Sequence, residues 1–182
     1  MPKSKKIYFM LLILLFCVGC DQISKNIARS SLASSPPITF WGELVRLQYA
    51  ENTGAFLSLG SGLSKNARTL LFTLLSGVLL VGLFFYVLFS RDLDKKHIFA
   101  LALILGGGSS NLLDRVIHDG RVIDFMNMGI GSLRTGIFNF ADVVIMGGMG
   151  LVIFLNIRHH RKQSKNTKED IDTQHPDNSS TE

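Results

Sequence analysis

Residues 105–125 read LGGGSSNLLDRVIHDGRVIDF, and this stretch decides how the chain is organised. It begins at the end of an apolar run and then carries Asn111, Asp114 and Arg115, followed after a short turn by Asp124. Ionisable residues near membrane depth are costly, so they normally face the interior of a bundle, are paired, and mark a functional site. The stretch therefore predicts a polar site close to the end of a membrane helix.

A continuous helix through this stretch would place Gly107, Asn111 and Asp114 at i, i+4 and i+7, which is one face. A glycine on that face allows another backbone to approach closely. A second acid, Asp142, lies in FNFADVVIMGG, where the next apolar run begins. Two acids, Asp124 and Asp142, thus stand at the mouths of two predicted membrane helices.

Composition predicts one membrane domain. The chain has 182 residues, 47% of them hydrophobic, and a mean hydropathy of +0.29, which is too apolar for an ordinary soluble domain. The formal net charge is +5, but the basic residues cluster at the ends of segments, so we expect no nucleic-acid partner. Cys17 and Cys20 have no histidine or second cysteine pair nearby, which favours helix packing over a metal site.

The fold class predicted is a mainly α membrane protein: four transmembrane helices with a small extracytoplasmic β-rich element. The predicted spans are residues 7–29, 67–89, 98–116 and 138–157. Residues 30–66 form the outer loop, in which the period-two alternation of residues 45–49 predicts a strand. Residues 1–162 make up the single membrane domain, and the polar residues 163–182 are predicted to be a disordered tail.

The amino-terminal segment has two interpretations. A basic start followed by an apolar run is typical of a signal peptide, and the residues before Cys20 resemble a lipidation motif. A retained first helix is favoured, because no breaker occurs before Pro36 and further spans follow. Asp21 and Lys25 lie at i, i+4, so they either form an intrahelical salt bridge or reach the polar site.

The distribution of basic residues predicts the orientation. By the positive-inside rule the side that carries them is cytoplasmic. Both termini then lie inside, and Asp114, Asp124 and Asp142 lie toward the outer face. The basic residues on the cytoplasmic side are Lys3, Lys5, Lys6, Arg91, Lys95, Lys96, Arg158, Arg161 and Lys162.

Several catalytic motifs are missing from the sequence: the G-x-S-x-G elbow, the H-E-x-x-H zinc motif and the Walker A loop. What remains is a pair of acids, and two aspartates that share a proton can activate water and protonate a leaving group. Structural roles are an alternative, with Asp124 capping a turn and Asp142 stabilised in the first turn of a helix. A small proton- or ion-coupled carrier would also place acids inside a bundle.

Five motifs in order resemble the bacterial lipoprotein signal peptidase (signal peptidase II) family. They are DQISK at 21–25, ENTGAF at 51–56, GGGSSNLLDR at 106–115, VIDF at 122–125 and FNFAD at 138–142. The resemblance implies an aspartic endopeptidase of the bacterial inner membrane that cleaves prolipoproteins before the diacylglyceryl-modified cysteine. It also implies a β-rich cradle on the outer surface. We expect no metal or organic cofactor, contact with membrane lipids, and a monomer.

The resemblance also implies roles for individual residues. The catalytic pair would be Asp124 and Asp142, and Asp21 and Lys25 match the first-helix motif. Ser110 departs from the family, which more often has glycine before the asparagine. The polar residues matching those that surround the catalytic pair are Asn52, Asn111, Asp114, Arg115 and Asn139.

Overall fold

The computed structural model describes residues 2–54 and 62–174, with side chains as far as Arg161. The last two residues of the ENTGAF motif and the end of the predicted tail, residues 175–182, lie outside the described residues. The helices are α1 (Lys3–Leu32), α2 (Lys65–Arg68), a π-helical segment (Thr69–Leu75), α3 (Ser76–Phe89), α4 (Lys95–Ile117) and α5 (Phe140–Gln174). The strands are β1 (Ile38–Phe40), β2 (Val45–Asn52), β3 (Val122–Ile130) and β4 (Leu133–Arg134).

Helix α1 runs without interruption through Cys20 and ends four residues before Pro36. Its buried positions recur every three or four residues, which is the spacing of one helical face. Met10, Ile13 and Cys17 form an apolar part of that face, and the charged Asp21 and Lys25 follow them. The buried residues of α1 are Lys6, Met10, Ile13, Cys17, Asp21, Lys25, Ala28 and Leu32.

Three helices in the described part of the chain are long and apolar enough to cross a membrane: Lys3–Leu32, Lys65–Phe89 and Phe140–Arg161. Helix α4 is the predicted third span but is not among them, because its second half carries Asn111, Asp114 and Arg115. It lies between α1, α3 and α5, so its polar face meets protein instead of lipid. The fold is therefore of the membrane type and mainly helical, with three apolar helices.

Glycines bring α4 and α5 into close contact. A Cβ added at Gly107 of α4 would lie 2.5 Å from the carbonyl oxygen of Ala141, and one added at Gly148 of α5 would lie 2.7 Å from that of Ala100. Real Cβ atoms do not approach a carbonyl so closely, so these helices need small residues at both crossings. The close approach at Gly107 places the first turn of α5 directly against α4.

The strands form one sheet in the order β1-β2-β3-β4, with every neighbouring pair antiparallel. The predicted strand at residues 45–49 is the first part of β2, and the expectation of a small β element is confirmed. The register pairs Ala50 with Asp124 and Asn52 with Val122. Ala28 and Leu32 of α1 pack against Phe125 of β3, which fixes the sheet over the end of the first helix.

Helix α5 continues past the predicted end of the last span to Gln174. Residues 163–174, which the sequence analysis assigns to a disordered tail, thus have helical backbone in the structure. The physical reason is that no glycine or proline occurs between Gly150 and Pro176 to end the helix.

Candidate active site

The fold brings the two aspartates of the sequence analysis to one place. Asp124 is the third residue of β3, and Asp142 lies in the first turn of α5. Asn139, just before α5, connects them: its Nδ2 donates to Asp124 Oδ1 at 2.7 Å, and its backbone N–H donates to Asp142 Oδ2 at 3.1 Å. Two acids that are 18 residues apart in sequence thereby hydrogen-bond the same asparagine.

Asp142 also has the structural role that the sequence analysis left open. Asn139 Oδ1 accepts a hydrogen bond from Asp142 N at 3.0 Å, and together with the reverse contact this is a reciprocal capping box at the start of α5. The second carboxylate oxygen of Asp142 accepts from Asn111 Nδ2 at 2.9 Å. The cap uses only one oxygen, so Asp142 both starts the helix and belongs to the site.

Asp124 is 2% exposed, whereas Asp142 is only half-buried. Burial raises the pKa of Asp124 from an ordinary value of 3.8 to about 7, the hydrogen bond from Asn52 lowers it, and the neighbouring Asp142 raises it. Asn52 Nδ2 lies 2.9 Å from Asp124 Oδ2. Asp124 therefore titrates near neutral pH instead of being fully ionised there.

Asn52 serves a turn as well as the site. Its Oδ1 accepts a hydrogen bond from Gly54 N at 2.9 Å, which stabilises a turn after β2. With the oxygen held by the turn, the amide nitrogen faces Asp124. The turn at the end of β2 therefore orients a donor toward the site.

A charged cluster lies behind the two aspartates, and we call its members Asp21, Lys25, Asn111 and Asp114 the Lys25 cluster. Lys25 Nζ lies 2.6 Å from Asp21 Oδ2, 2.9 Å from Asp114 Oδ2 and 2.9 Å from Asn111 Oδ1. Asp21 Oδ1 also accepts from the backbone N–H of Ala141 at 2.8 Å. Both interpretations of Asp21 therefore hold: it pairs with Lys25 within α1 and reaches the start of α5.

Asp114 pairs with Lys25 of α1 and not with its neighbour Arg115. Consecutive helix residues point in directions about 100° apart, so Asp114 faces Lys25 while Arg115 faces elsewhere. Asp114 Oδ2 also accepts from the backbone N–H of Ile123 at 3.0 Å, which ties α4 to β3. Arg115 donates to the carbonyl oxygens of Asn111 at 3.2 Å and Gly54 at 3.1 Å.

A groove opens from Asp142, and we call it the Asp142 groove. The π-helical segment and α3 bound it on one side, and α4 and α5 bound it on the other. Its volume is about 480 Å³. Asn111, Arg115 and Asp142 form its polar end, and the rest of its lining is almost entirely apolar. The other lining residues are Phe72, Ser76, Leu79, Leu80, Ile104, Gly108, Ile145, Met146 and Met149. An apolar segment that ends in a polar group at Asp142 would fit this shape.

A family model described as signal peptidase (SPase) II matches residues 13–158 of this sequence. The chain belongs to the signal peptidase II family. This membership makes it a peptidase, and the matched range contains the residues of the Lys25 cluster, both aspartates and the Asp142 groove.

Relatives of the signal peptidase II chain cover most of its length. A protein named lipoprotein signal peptidase from Treponema denticola is 32% identical over 160 residues, covering 85% of this chain and 92% of its own. One of the same name from Borrelia duttonii is 32% identical over 150 residues, covering 80% and 86%. Another from Leifsonia xyli subsp. xyli is 34% identical over 157 residues, covering 82% and 67%.

Two solved structures share the fold of this signal peptidase II chain, and both are described as a bacterial membrane enzyme. One has a TM-score of 0.72 at 23% identity and covers 97% of this chain and 96% of its own. The other has a TM-score of 0.69 at 24% identity and covers 82% and 92%. At this identity the likeness concerns the fold alone.

The resemblance assigned no role to Ser110 or Gln22, yet both hydrogen-bond the Lys25 cluster of this signal peptidase II chain. Ser110 is fully buried, and its Oγ donates to Asp21 Oδ2 at 2.7 Å. Gln22 Nε2 donates to Ser110 Oγ at 3.0 Å and to Asp114 Oδ1 at 2.7 Å. The available signal was the position of Gln22 beside Asp21, directly after the apolar run of the first helix.

Among residues 2–54 and 62–161, no group of three or more His, Cys, Asp and Glu side chains is placed to hold a metal ion. The donors around Asp124 and Asp142 are asparagine amides and a backbone N–H. Such donors suit a carboxylate and would not bind a cation. The absence of a metal requirement stays a prediction for the reaction.

Proposed function

We propose that the chain is an intramembrane aspartic endopeptidase that removes signal peptides from prolipoproteins, with Asp124 and Asp142 as its catalytic residues. The substrate would be cleaved just before a diacylglyceryl-modified cysteine. The family and the names of the relatives support the substrate class. The observation that carries the assignment is the convergence of Asp124 and Asp142 on Asn139, with Asp142 at the polar end of an apolar groove.

The two aspartates differ in the way the reaction requires. Asp142 faces the groove and lies in the first turn of α5, where the helix dipole and a backbone N–H favour a carboxylate. It would take a proton from the attacking water. Asp124 is buried and would give its proton to the carbonyl oxygen of the scissile bond. Asp142 then returns its proton to the leaving amine as the C–N bond breaks, and a hydroxyl of the tetrahedral intermediate gives its proton back to Asp124 as the carbonyl group re-forms.

Arg115 is proposed to bind the substrate backbone at the polar end of the groove. Its two Nη atoms donate to carbonyl oxygens of Asn111 and Gly54, whereas its buried Nε has no hydrogen-bond partner among the described residues. A guanidinium donates only and accepts nothing. A peptide carbonyl of the bound substrate would satisfy this group.

The location proposed is the bacterial inner membrane, with both termini cytoplasmic and the site toward the outer face. The acyl chains of the substrate would lie in the outer leaflet and its apolar signal helix in the Asp142 groove, so binding positions the scissile bond. The protein would act as a monomer in contact with lipid, without metal or organic cofactor. Labelling of a Ser132→Cys variant with a membrane-impermeant thiol reagent in intact cells, in a background without Cys17 and Cys20, tests the orientation.

Cleavage of a diacylglyceryl-modified lipobox peptide by the purified protein tests the function. Asp124→Asn and Asp142→Asn should each lower turnover by more than about 10³-fold while leaving the melting temperature within a few degrees, because an amide cannot transfer the proton. Asp119→Asn is the matched control, since Asp119 is an exposed aspartate paired with Lys65 in the turn before β3. Near-native turnover by either of the first two variants would end the catalytic assignment.

A peptidase differs in its expected activity from the two alternatives, a carrier and a lipidated membrane protein. The family match favours a peptidase. A carrier whose ion binds to either acid would lose transport in the double Asp124→Asn and Asp142→Asn variant. Hydrolysis of the lipopeptide by the parent protein, with the product identified by mass, separates these classes directly.

A further inference from the structure

The buried ammonium group of Lys25 has contacts that a simple ion pair does not need. Lys25 is 1% exposed, and its Nζ has three acceptors: Asp21, Asp114 and Asn111. An ammonium has three N–H donors, so all of them are used. Two acceptors are carboxylates that balance its charge. The third is a neutral amide whose other end touches Asp142.

The contact with Asn111 decides how this amide is oriented. Its Oδ1 accepts from Lys25 Nζ at 2.9 Å and from Asn139 Nδ2 at 3.1 Å, and its Nδ2 donates to Asp142 Oδ1 at 2.9 Å. A rotated amide would place an NH₂ group against the ammonium, and neither of these can accept a hydrogen bond. The rotated NH₂ group would also meet Asn139 Nδ2, so Lys25 and Asn139 together prevent the rotation and keep a donor directed at Asp142.

The net charge of the Lys25 cluster does not explain the effect on Asp142. Two carboxylates and one ammonium give formal charges that sum to −1, and Lys25 and Asp21 act on Asp142 in opposite senses. The long-range fields of the cluster thus partly cancel at the site. What the cluster transmits to Asp142 is mainly the direction of one N–H donor.

The charged groups around Asp142 come from three of the elements that pack near it, α1, α4 and β3. Asp21 and Lys25 belong to α1, Asp114 and Arg115 to α4, and Asp124 to β3. The residues of α3 and the π-helical segment that line the Asp142 groove carry no charge. Of the charged groups, Lys25 is the one that acts through the amide bonded to Asp142.

We propose that Lys25 is a positioning residue of the peptidase reaction, which fixes the Asn111 amide so that Asp142 remains the carboxylate that activates water. This inference rests on the proposed function of the two aspartates. If the amide rotated, its Oδ1 would face Asp142 and would favour the protonated acid as a donor. Loss of Lys25 should therefore impair the chemical step more than the binding of substrate.

The test compares Lys25→Met with Asp21→Asn. Both variants break the same ion pair on α1, but only the first removes the contact with Asn111. For Lys25→Met we expect kcat to fall about 10- to 100-fold with KM within about twofold. The acidic limb of its kcat profile should move to higher pH, because Asp142 is then more easily protonated. Asp21→Asn should lower the melting temperature and should not move that limb to higher pH, because the charge of Asp21 acts on Asp142 in the opposite sense to that of Lys25. Lys25→Arg should restore part of kcat.

Lys25→Met leaves two buried carboxylates without their cation and could prevent folding. The double variant Lys25→Met with Asp114→Asn avoids this, because the formal charge of the cluster stays at −1, carried by Asp21 alone. It should show the same shift of the acidic limb, whereas Asp114→Asn alone should not.

An unshifted acidic limb and an unchanged kcat in the folded double variant would overturn the proposal. If the catalytic assignment of Asp124 and Asp142 is wrong, the result is different: Asp124→Asn or Asp142→Asn retains turnover in the same lipopeptide assay. The two failures are therefore distinguishable.

Discussion

Helices α1 and α4 contact each other along two halves with opposite chemistry. In the first half, Met10, Ile13 and Cys17 pack against Ala102 and Leu105 of α4. The second half, one to two turns further along α1, consists of the buried side chains of the Lys25 cluster together with Gln22 and Ser110. The same pair of helices thus has an apolar contact at one end and an ionic contact at the other.

The difference shows how each half of the contact contributes to the packing of α1 on α4. In a membrane, lipid tails are as apolar as the side chains, so the apolar half gains from close packing instead of exclusion of water. Apolar side chains tolerate small shifts along the helix. Each bond of the Lys25 cluster, in contrast, requires one donor and one acceptor at a fixed distance. The ionic half therefore sets the register of α1 on α4, and with it the position of the residues that contact Asp142.

Removal of Asp114 should have the largest effect on the contact between α1 and α4. Asp114→Ala would leave Lys25 with one carboxylate partner and the N–H of Ile123 without its acceptor. Loss of one partner of a buried ion pair costs about 3–5 kcal/mol. We expect a large drop in the melting temperature in detergent together with a partial loss of turnover.

Loss of turnover at unchanged stability would instead move Asp114 into the catalytic group. Asp94→Ala serves as the control for Asp114→Ala, since Asp94 caps the opposite end of α4 at the surface. It should cost only about 1 kcal/mol.

Gly107→Ala and Gly148→Ala should each cost about 1–3 kcal/mol, because their methyl groups would meet a carbonyl oxygen of the facing helix. Only Gly107→Ala should also lower turnover, since it displaces Ala141, the neighbour of Asp142. Gly150→Ala is the matched control, with nothing within 4 Å of the added carbon. Equal loss of turnover in the first two variants would mean that the two ends of the α4–α5 contact are not independent.

Activity should depend on pH through Asp124, whose pKa is raised to about 7 by burial. Above that pH the proton needed for the carbonyl oxygen is lost, and kcat should fall about tenfold for each further pH unit. Stability should also fall with rising pH. Between the ordinary aspartate pKa of 3.8 and the raised pKa of about 7, the folded protein binds the proton that the unfolded chain releases. The contribution of Asp124 to the free energy of unfolding therefore falls as pH rises through this range.

Thermal unfolding in detergent at several pH values checks this dependence, with Asp124→Asn as the control that lacks the titrating group. A wild-type slope equal to that of the variant between these pH values would contradict the raised pKa of Asp124.

Cys20→Ala should have the smallest effect, because Cys20 is a half-buried residue of α1 outside both contact halves. We expect full-length protein of the parent's activity, with a loss of stability below about 1 kcal/mol. Intact-mass measurement checks the alternative in which Cys20 is the lipidated first residue of the mature chain. If the parent protein had the mass of a lipidated chain that starts at Cys20, the mature protein would lack the apolar half of α1.

The sequence by itself determined the membrane class, three long apolar helices and the strand at residues 45–49. It also singled out the two aspartates that meet at Asn139, because hydropathy, period and ordered motifs are local properties. It also indicated Asp21 and Lys25 as unusual charges in an apolar helix. It left open whether Asp142 has a structural role or belongs to the site, and the structure shows both, since its two oxygens have different partners.

Only the tertiary structure decided which charges are paired. Asp114 binds Lys25, 89 positions away, and not the adjacent Arg115, because neighbouring residues on a helix diverge while a facing helix can supply a partner. Ser110 and Gln22 became part of the site for the same reason. Which donor meets which acceptor depends on the register of α1, α4 and α5, and that register is a property of the packed bundle that no local pattern contains.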